Sequence, residues 1–129
     1  MKIKRVILAL TLLFTAHLAG FAVAQEGHPL KGTWRGAVDV DGEGQPLVII
    51  MDYGQDTITG LINPGRSSFR FSEASLDAPN WVLSGSAMTR DGLAVEFTAT
   101  LHEIGARNRY LEGTWTQSGS HYPFKVTRE

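Results

Sequence analysis

The fold is decided by two neighbouring stretches, residues 93–103, which read LAVEFTATLHE, and residues 109–117, which read RYLEGTWTQ. Apolar and polar side chains alternate in both, so that Val95 and Phe97 point to one side of an extended chain and Glu96 points to the other. This alternation is typical of a β-strand that buries one face and exposes the other. Only a short segment containing a glycine separates the two stretches, so we expect them to pair as antiparallel neighbours.

Six further stretches of the same kind accompany this pair, and turn-forming residues separate all of them. The Pro64–Gly65 step predicts a type II turn, and the Asp91–Gly92 step predicts a two-residue type I′ turn. The predicted strands are residues 32–40, 47–53, 57–63, 68–76, 81–89, 93–103, 109–117 and 121–127.

Short connections between consecutive strands predict an antiparallel up-and-down arrangement. Eight such strands close most economically into a β-barrel, because closure leaves no strand edge exposed. We therefore expect an all-β fold, with an eight-stranded antiparallel up-and-down β-barrel over residues 32–129. The alternative is a two-sheet β-sandwich.

Residues 1–24 have the three parts of a secretory signal peptide, namely a basic start at Lys2 to Arg5, an apolar run, and the small-residue cleavage motif Ala22-Val23-Ala24. A retained membrane anchor is the alternative, but the apolar run is shorter than the ~20 residues that a spanning helix needs. We predict cleavage before Gln25, followed by a flexible lead-in over residues 25–31. The mature protein is then expected in the periplasm or outside the cell, with no membrane partner.

Composition excludes several classes of function. The leader carries three of the 12 basic residues and none of the 13 acidic ones, so its removal changes the net charge from −1 to −4. A mildly acidic domain argues against a nucleic-acid partner, which needs a basic surface. The absence of cysteine excludes disulfides, thiolate metal sites and thiol catalysis. With no nucleophile elbow, phosphate-binding loop or dinucleotide-binding glycine motif, we expect a non-catalytic protein without a cofactor or a metal.

Several motifs resemble those of known families. Gly32-Thr33-Trp34 is similar to the opening of lipocalins, fatty-acid-binding proteins and avidins, and Arg128 is similar to the arginine that caps this tryptophan in lipocalins. The chain also resembles a group of small secreted bacterial proteins of uncharacterised function, through His28-Pro29-Leu30, Gly32-Thr33-Trp34, Ile58–Gly65 and Leu111–Trp115. These resemblances imply a barrel that holds a small ligand. The helical lid of fatty-acid-binding proteins is missing, so no fatty-acid site is carried over. The polar residues of avidin-like biotin pockets do not align with residues of this chain, so no biotin site is carried over either.

Four glycines fall inside predicted strands on the inner face, namely Gly36, Gly60, Gly85 and Gly113. A glycine weakens a strand, so another feature must compensate for it. In one interpretation the missing side chains leave a cavity for a ligand. In the other, the glycines let a narrow barrel coil tightly while tryptophans fill it. The second interpretation is favoured, because side chains alone nearly fill an eight-stranded barrel.

Each interpretation predicts its own site. A small apolar ligand in the barrel mouth would contact inward-facing aromatic residues, and this candidate ligand site comprises Trp34, Phe69, Phe71, Trp81 and Trp115. A filled barrel would instead act as a protein-interaction or self-associating module through an outer surface, which comprises Val48, Ile50 and Leu61. That surface is predicted because residues 47–51 are apolar on both faces of their strand. The sequence leaves both functions open.

Overall fold

The structure is a computed structural model that describes residues 28–129. The predicted leader, and the first part of the predicted lead-in, lie outside the described residues. The strands are β1 (Gly32–Val40), β2 (Glu43–Gly54), β3 (Thr57–Ile62), β4 (Phe69–Asp77), β5 (Val82–Met88), β6 (Ala94–His102), β7 (Tyr110–Gln117) and β8 (Ser120–Arg128), with one 3₁₀ turn at Ala78–Asn80.

The eight strands form a closed antiparallel barrel in which strand order follows chain order. The closing pair is β1 with β8, whose register runs from Trp34 opposite Arg128 to Val38 opposite Phe124. The predicted up-and-down barrel is therefore confirmed, and the sandwich alternative is wrong. A sandwich would leave edges in two separate sheets, whereas here both terminal strands are hydrogen-bonded on both sides.

The segment of residues 28–31 distinguishes the two ends of the barrel. The strands β1, β3, β5 and β7 begin at one end, where residues 28–31 also lie, and we call it the plugged end. The turns that follow β1, β3, β5 and β7 lie at the other end, which we call the far end. Leu30, which sits in the predicted flexible lead-in, is 1% exposed and belongs to the hydrophobic core. Residues 28–31 are thus a packed part of the fold.

The type I′ turn predicted at Asp91–Gly92 is wrong. Of Asp91 and Gly92, only Gly92 has a positive φ, of 83°, whereas a type I′ turn needs two such residues. Gly92 N donates to Thr89 O at 3.0 Å, and Thr89 N donates to Leu93 O at 2.9 Å. This pattern is a type I turn followed by a glycine bulge, which is the usual form of a three-residue hairpin loop.

The core is made entirely of hydrophobic side chains among the described residues. Alternation predicted most of them, including Trp34, Phe97 and Trp115. Trp81 departs from the prediction, because it ends the 3₁₀ turn with a φ of 54° and precedes β5 instead of opening it. Its side chain is half-buried and packs against the core at the plugged end.

Candidate functional site

A row of aromatic rings lines the inner wall of the barrel between β4 and β8. The Phe71 and Phe97 rings have centroids 4.9 Å apart, the Phe97 and Trp115 rings are stacked at 6.2 Å, and Trp115 meets Phe124 edge-on at 6.1 Å. Phe97, Trp115 and Phe124 are buried, and Phe71 is half-buried. Two of these rings take up the room left by strand glycines, since Phe71 lies over Gly60 and Phe97 lies over Gly85.

The strand glycines provide room for these rings and for close approach of strands. A methyl group added to Gly60 would overlap the Phe71 ring, and one added to Gly85 would overlap the Phe97 ring. At Gly36 and Gly113 the same methyl group would overlap the backbone of the neighbouring strand. All four positions are therefore occupied by the protein's own atoms, as tight coiling of a filled barrel requires.

The structure divides the five residues of the candidate ligand site between the two ends. Phe69 and Phe71 open β4 at the far end, and Trp115 lies near the far end of β7. Trp34 and Trp81 lie at the plugged end, one near the start of β1 and the other before β5. Trp34 is fully buried. The far end therefore brings three of the five together, with half-buried Tyr122 of β8 as a further aromatic residue there.

The plugged end is held by side chains that bind the main chain of residues 29–31. Three consecutive carbonyl oxygens each accept one hydrogen bond from a side chain. The bonds are Arg109 Nη1 to Pro29 O at 3.1 Å, Trp34 Nε1 to Leu30 O at 2.7 Å, and Arg128 Nε to Lys31 O at 2.8 Å. The buried Leu30 side chain contributes about 1.5–3 kcal/mol to folding if its apolar surface leaves water completely. The resemblance to lipocalins indicates only that Arg128 lies beside Trp34. Alternation and turn residues reveal nothing of the three hydrogen bonds, because Arg109 and Arg128 are 80 and 97 residues from their acceptors.

The pKa values of Arg109 and His28, both at this end, are lowered. Partial burial, and then the positive charge of Arg128, lower the pKa of Arg109, whose Nε is buried without an acceptor among the described residues. Partial burial also lowers the pKa of His28. The His28 ring stacks on Tyr53 with centroids 4.1 Å apart, and its Nδ1 accepts a hydrogen bond from Leu30 N at 3.3 Å.

The candidate interaction surface is continuous across two strands. Ile50 of β2 pairs with Leu61 of β3, and both point outward. Ile50 is 41% exposed, while Val48 and Leu61 are half-buried. Arg35 lies opposite Val48 on β1, and Arg70 lies opposite Leu61 on β4. The surface is thus a small apolar strip with an arginine on each flank.

Open grooves lie on the outer face of the barrel. The groove across β4, β5 and β6 has a volume of about 380 Å³, and its polar lining is Glu73, Ser75, Ser84, Ser86, Glu96 and Thr98. A second groove, of about 430 Å³, crosses β7, β8 and β1 near Gly113 and Lys125. Each lies over a strand glycine, Gly85 in the first and Gly113 in the second.

The histidine, aspartate and glutamate side chains of residues 28–129 do not form a cluster that could hold a metal ion. His102 stacks on Tyr110 with centroids 4.8 Å apart, and His121 shares a hydrogen bond of 2.8 Å with Thr116. Residues 28–129 contain no group of three or more histidine, aspartate or glutamate side chains placed to hold a metal ion. Within the same part of the chain, no helix is long and apolar enough to cross a membrane.

Comparison with known proteins gave no match in any of three searches, against protein families, against curated proteins and against solved structures.

Proposed function

We propose that this chain is an exported, non-catalytic β-barrel with a filled interior, which associates with a second copy through its outer surface. The observation that carries the proposal is the row of rings from Phe71 to Phe124, together with the glycines that those rings and the neighbouring strands cover. A filled barrel is a rigid support, so binding has to use its loops or its outer wall. The predicted leader of residues 1–24 supports export.

The strip formed by Val48, Ile50 and Leu61 is the outer surface that best fits this role. Interface cores are enriched in apolar side chains and depleted in charge, and their rims are polar. Ile50 and Leu61 supply an apolar centre, while Arg35 and Arg70 supply a charged rim. Because the barrel is closed, a second copy cannot add as an extra strand and has to pack face to face.

The test is the dependence of the molar mass in solution on protein concentration. We expect the mean mass of the wild-type protein to rise toward a dimer, as measured by light scattering or sedimentation. Ile50→Glu should keep the protein monomeric over the same range, because taking a charged carboxylate out of water at the centre of the interface is costly.

Thr114→Glu is the matched control, since Thr114 is an exposed outward residue of β7, on another part of the wall. It adds the same charge and should leave the association unchanged. A wild-type protein that stays monomeric at high concentration, with no change on Ile50→Glu, contradicts the proposal. Equal effects of both substitutions would also contradict it.

A small apolar ligand at the far end is a second candidate function. The half-buried aromatic residues there, Phe69, Phe71 and Tyr122, favour it, because apolar ligands bind among partly exposed rings. Native mass spectrometry of the protein purified from its own host tests both functions at once. A bound small molecule on a monomer supports this candidate, and an unliganded dimer supports the first.

A further inference from the structure

The imidazole of His28 accepts a hydrogen bond that fixes its protonation state. Leu30 N donates to His28 Nδ1 at 3.3 Å. A backbone N–H can only donate, so Nδ1 carries no proton and the ring is neutral, with its proton on Nε2. Both nitrogens of an imidazolium carry a proton, so turning the ring over does not restore an acceptor. A protonated His28 therefore cannot make this hydrogen bond in either orientation of its ring.

This hydrogen bond belongs to the turn that leads the chain into the plugged end. Lys31 N donates to His28 O at 3.0 Å, and the two hydrogen bonds together close the turn of residues 28–31. The turn places Leu30 in the core and presents three carbonyl oxygens to the side chains that bind them. Loss of the hydrogen bond from Leu30 N therefore weakens the attachment of the whole segment to the barrel.

The surroundings of the ring disfavour a positive charge on it. Partial burial lowers the pKa of His28, because a buried cation loses part of its hydration. Among the described residues, no carboxylate forms an ion pair with the ring. The Asp52 carboxylate is 3.9 Å from Lys31 Nζ, and the Asp56 carboxylate accepts a hydrogen bond from the Tyr53 hydroxyl, so both have other partners. The titratable groups of the segment and of the elements that contact it are Lys31, Asp52, Tyr53, Asp56, Arg109 and Arg128.

We propose that His28 is an acid-sensitive latch, which holds residues 28–31 in the plugged end while its ring is neutral and loosens them when the ring is protonated. Once the segment is released, the pKa of His28 returns to its ordinary value of 6.5. The segment is therefore held at full strength above that pH, and the hold weakens as the pH falls through it. The latch lies apart from the Ile50 surface and does not depend on the association proposed for that surface.

The test measures how well hydrogens at the plugged end are protected from exchange with solvent between about pH 8 and about pH 5, where histidine titrates. The reporters are the Leu30 amide and the Trp34 indole N–H, which donates to Leu30 O. Each rate is divided by the rate for an unstructured peptide at the same pH. We expect protection to be constant above about pH 7 and to fall about threefold to tenfold by about pH 5, as the loss of one hydrogen bond predicts.

His28→Asn separates the acceptor from the titration. An asparagine side-chain oxygen accepts a hydrogen bond from the N–H two residues further on, and the amide does not titrate. This variant should keep the wild-type protection at about pH 8 and lose the fall toward about pH 5. His28→Ala has no acceptor, so it should exchange about threefold to tenfold faster than the wild-type protein at about pH 8, with no further change in acid.

His102→Asn and His121→Asn are the matched controls, since each removes a histidine that stacks or hydrogen-bonds elsewhere on the barrel. Both should keep the wild-type fall in protection. Wild-type protection that does not depend on pH overturns the proposal, and so does a fall that survives in His28→Asn or disappears in either control. Exchange of the Leu30 amide at the same corrected rate as the buried Val126 amide also overturns it, because the segment would then open only with the whole protein.

Discussion

Gly113 lies in β7 where the neighbouring strand leaves no space for a side chain. A methyl group at this position would overlap the carbonyl oxygen of Thr98 in β6. The two strands therefore approach each other only because residue 113 has no Cβ. Gly44 in β2 is a contrasting case, since a Cβ there would lie 3.6 Å from the Cβ of Ala37, which is an ordinary contact.

Gly113→Ala should lower the free energy of unfolding by about 1–3 kcal/mol, because the strands have to move apart to admit the methyl group. Gly44→Ala is the matched control and should change it by less than about 1 kcal/mol. Denaturant unfolding followed by tryptophan fluorescence measures both. Equal losses in the two variants would contradict the close approach at Gly113.

For a single residue, the sequence predicts which face of the sheet the side chain points to, but not which atoms of other strands lie next to it. Alternation places Gly85 and Gly113 on the inner face, and it leaves both a cavity and tight coiling open. The choice depends on neighbours that only the register brings close, such as the Phe97 ring over Gly85 and the Thr98 carbonyl over Gly113. The candidate ligand residues show the same limit, because alternation cannot tell that Trp34 and Trp115 lie toward opposite ends.

The turn between β2 and β3 is strained relative to its counterparts. Gln55 and Asp56 have φ values of 52° and 62°, so both adopt the left-handed conformation that costs about 1–2 kcal/mol per residue for non-glycine residues. The equivalent second position is Gly42 after β1 and Gly119 after β7. The strain at Asp56 is partly compensated, because its carboxylate accepts a hydrogen bond of 3.2 Å from the Tyr53 hydroxyl.

Asp56→Gly should raise the free energy of unfolding by about 0.5–1 kcal/mol, since the relief of strain exceeds the added entropy of the unfolded chain. It should also lower the pKa of Tyr53 toward its ordinary value, because the hydrogen bond to Asp56 is the main cause of its raised pKa. Denaturant unfolding and ultraviolet titration of tyrosine measure the two effects. Gly119→Asp is the reverse control, and a gain in stability from it would contradict this account.

Elements are well predicted where the signal is local. The strands β1 and β7 begin and end within one residue of their predicted limits, because alternation and turn residues define both ends. The strand β2 begins at Glu43, four residues before its predicted start, because pairing with β1 extends a polar stretch that has no strand pattern of its own. The Asp91–Gly92 turn was mispredicted because its type depends on the hydrogen bonds of Thr89.

On the scale of the whole molecule, closure of the barrel protects the terminal strands from local opening as well as the central strands are protected. The strand β1 is hydrogen-bonded to β2 and β8, and β8 is hydrogen-bonded to β7 and β1. An open sheet would expose and fray its first and last strands, which exchange their amide hydrogens through local opening.

Native-state hydrogen exchange should therefore give opening free energies for the β1 and β8 core amides within about 1 kcal/mol of those for β5 and β6. Trp34 and Val126, both fully buried, are suitable reporters in the terminal strands. Much faster exchange in β1 and β8 alone would contradict a closed barrel, and global unfolding measured under the same conditions sets the upper limit.

The barrel could be predicted from sequence because seven of its eight pairings join strands that are neighbours in the chain. The plugged end could not, since the segment of residues 28–31 has no alternation and its partners Arg109 and Arg128 come from distant parts of the chain. A short stretch without alternation before the first strand therefore predicts a flexible lead-in. Only the assembled barrel provides the pocket for Leu30.

The single distant pairing also sets the order in which the fold can be completed. Seven hairpins can form independently of the last pairing, each closing a short loop at small entropic cost. The seam between the first and last strands has to wait for residues 120–128. Until they pair with β1, the incomplete sheet carries two unsatisfied borders, so a slow closure of this seam would prolong the period in which the chain is most prone to aggregate.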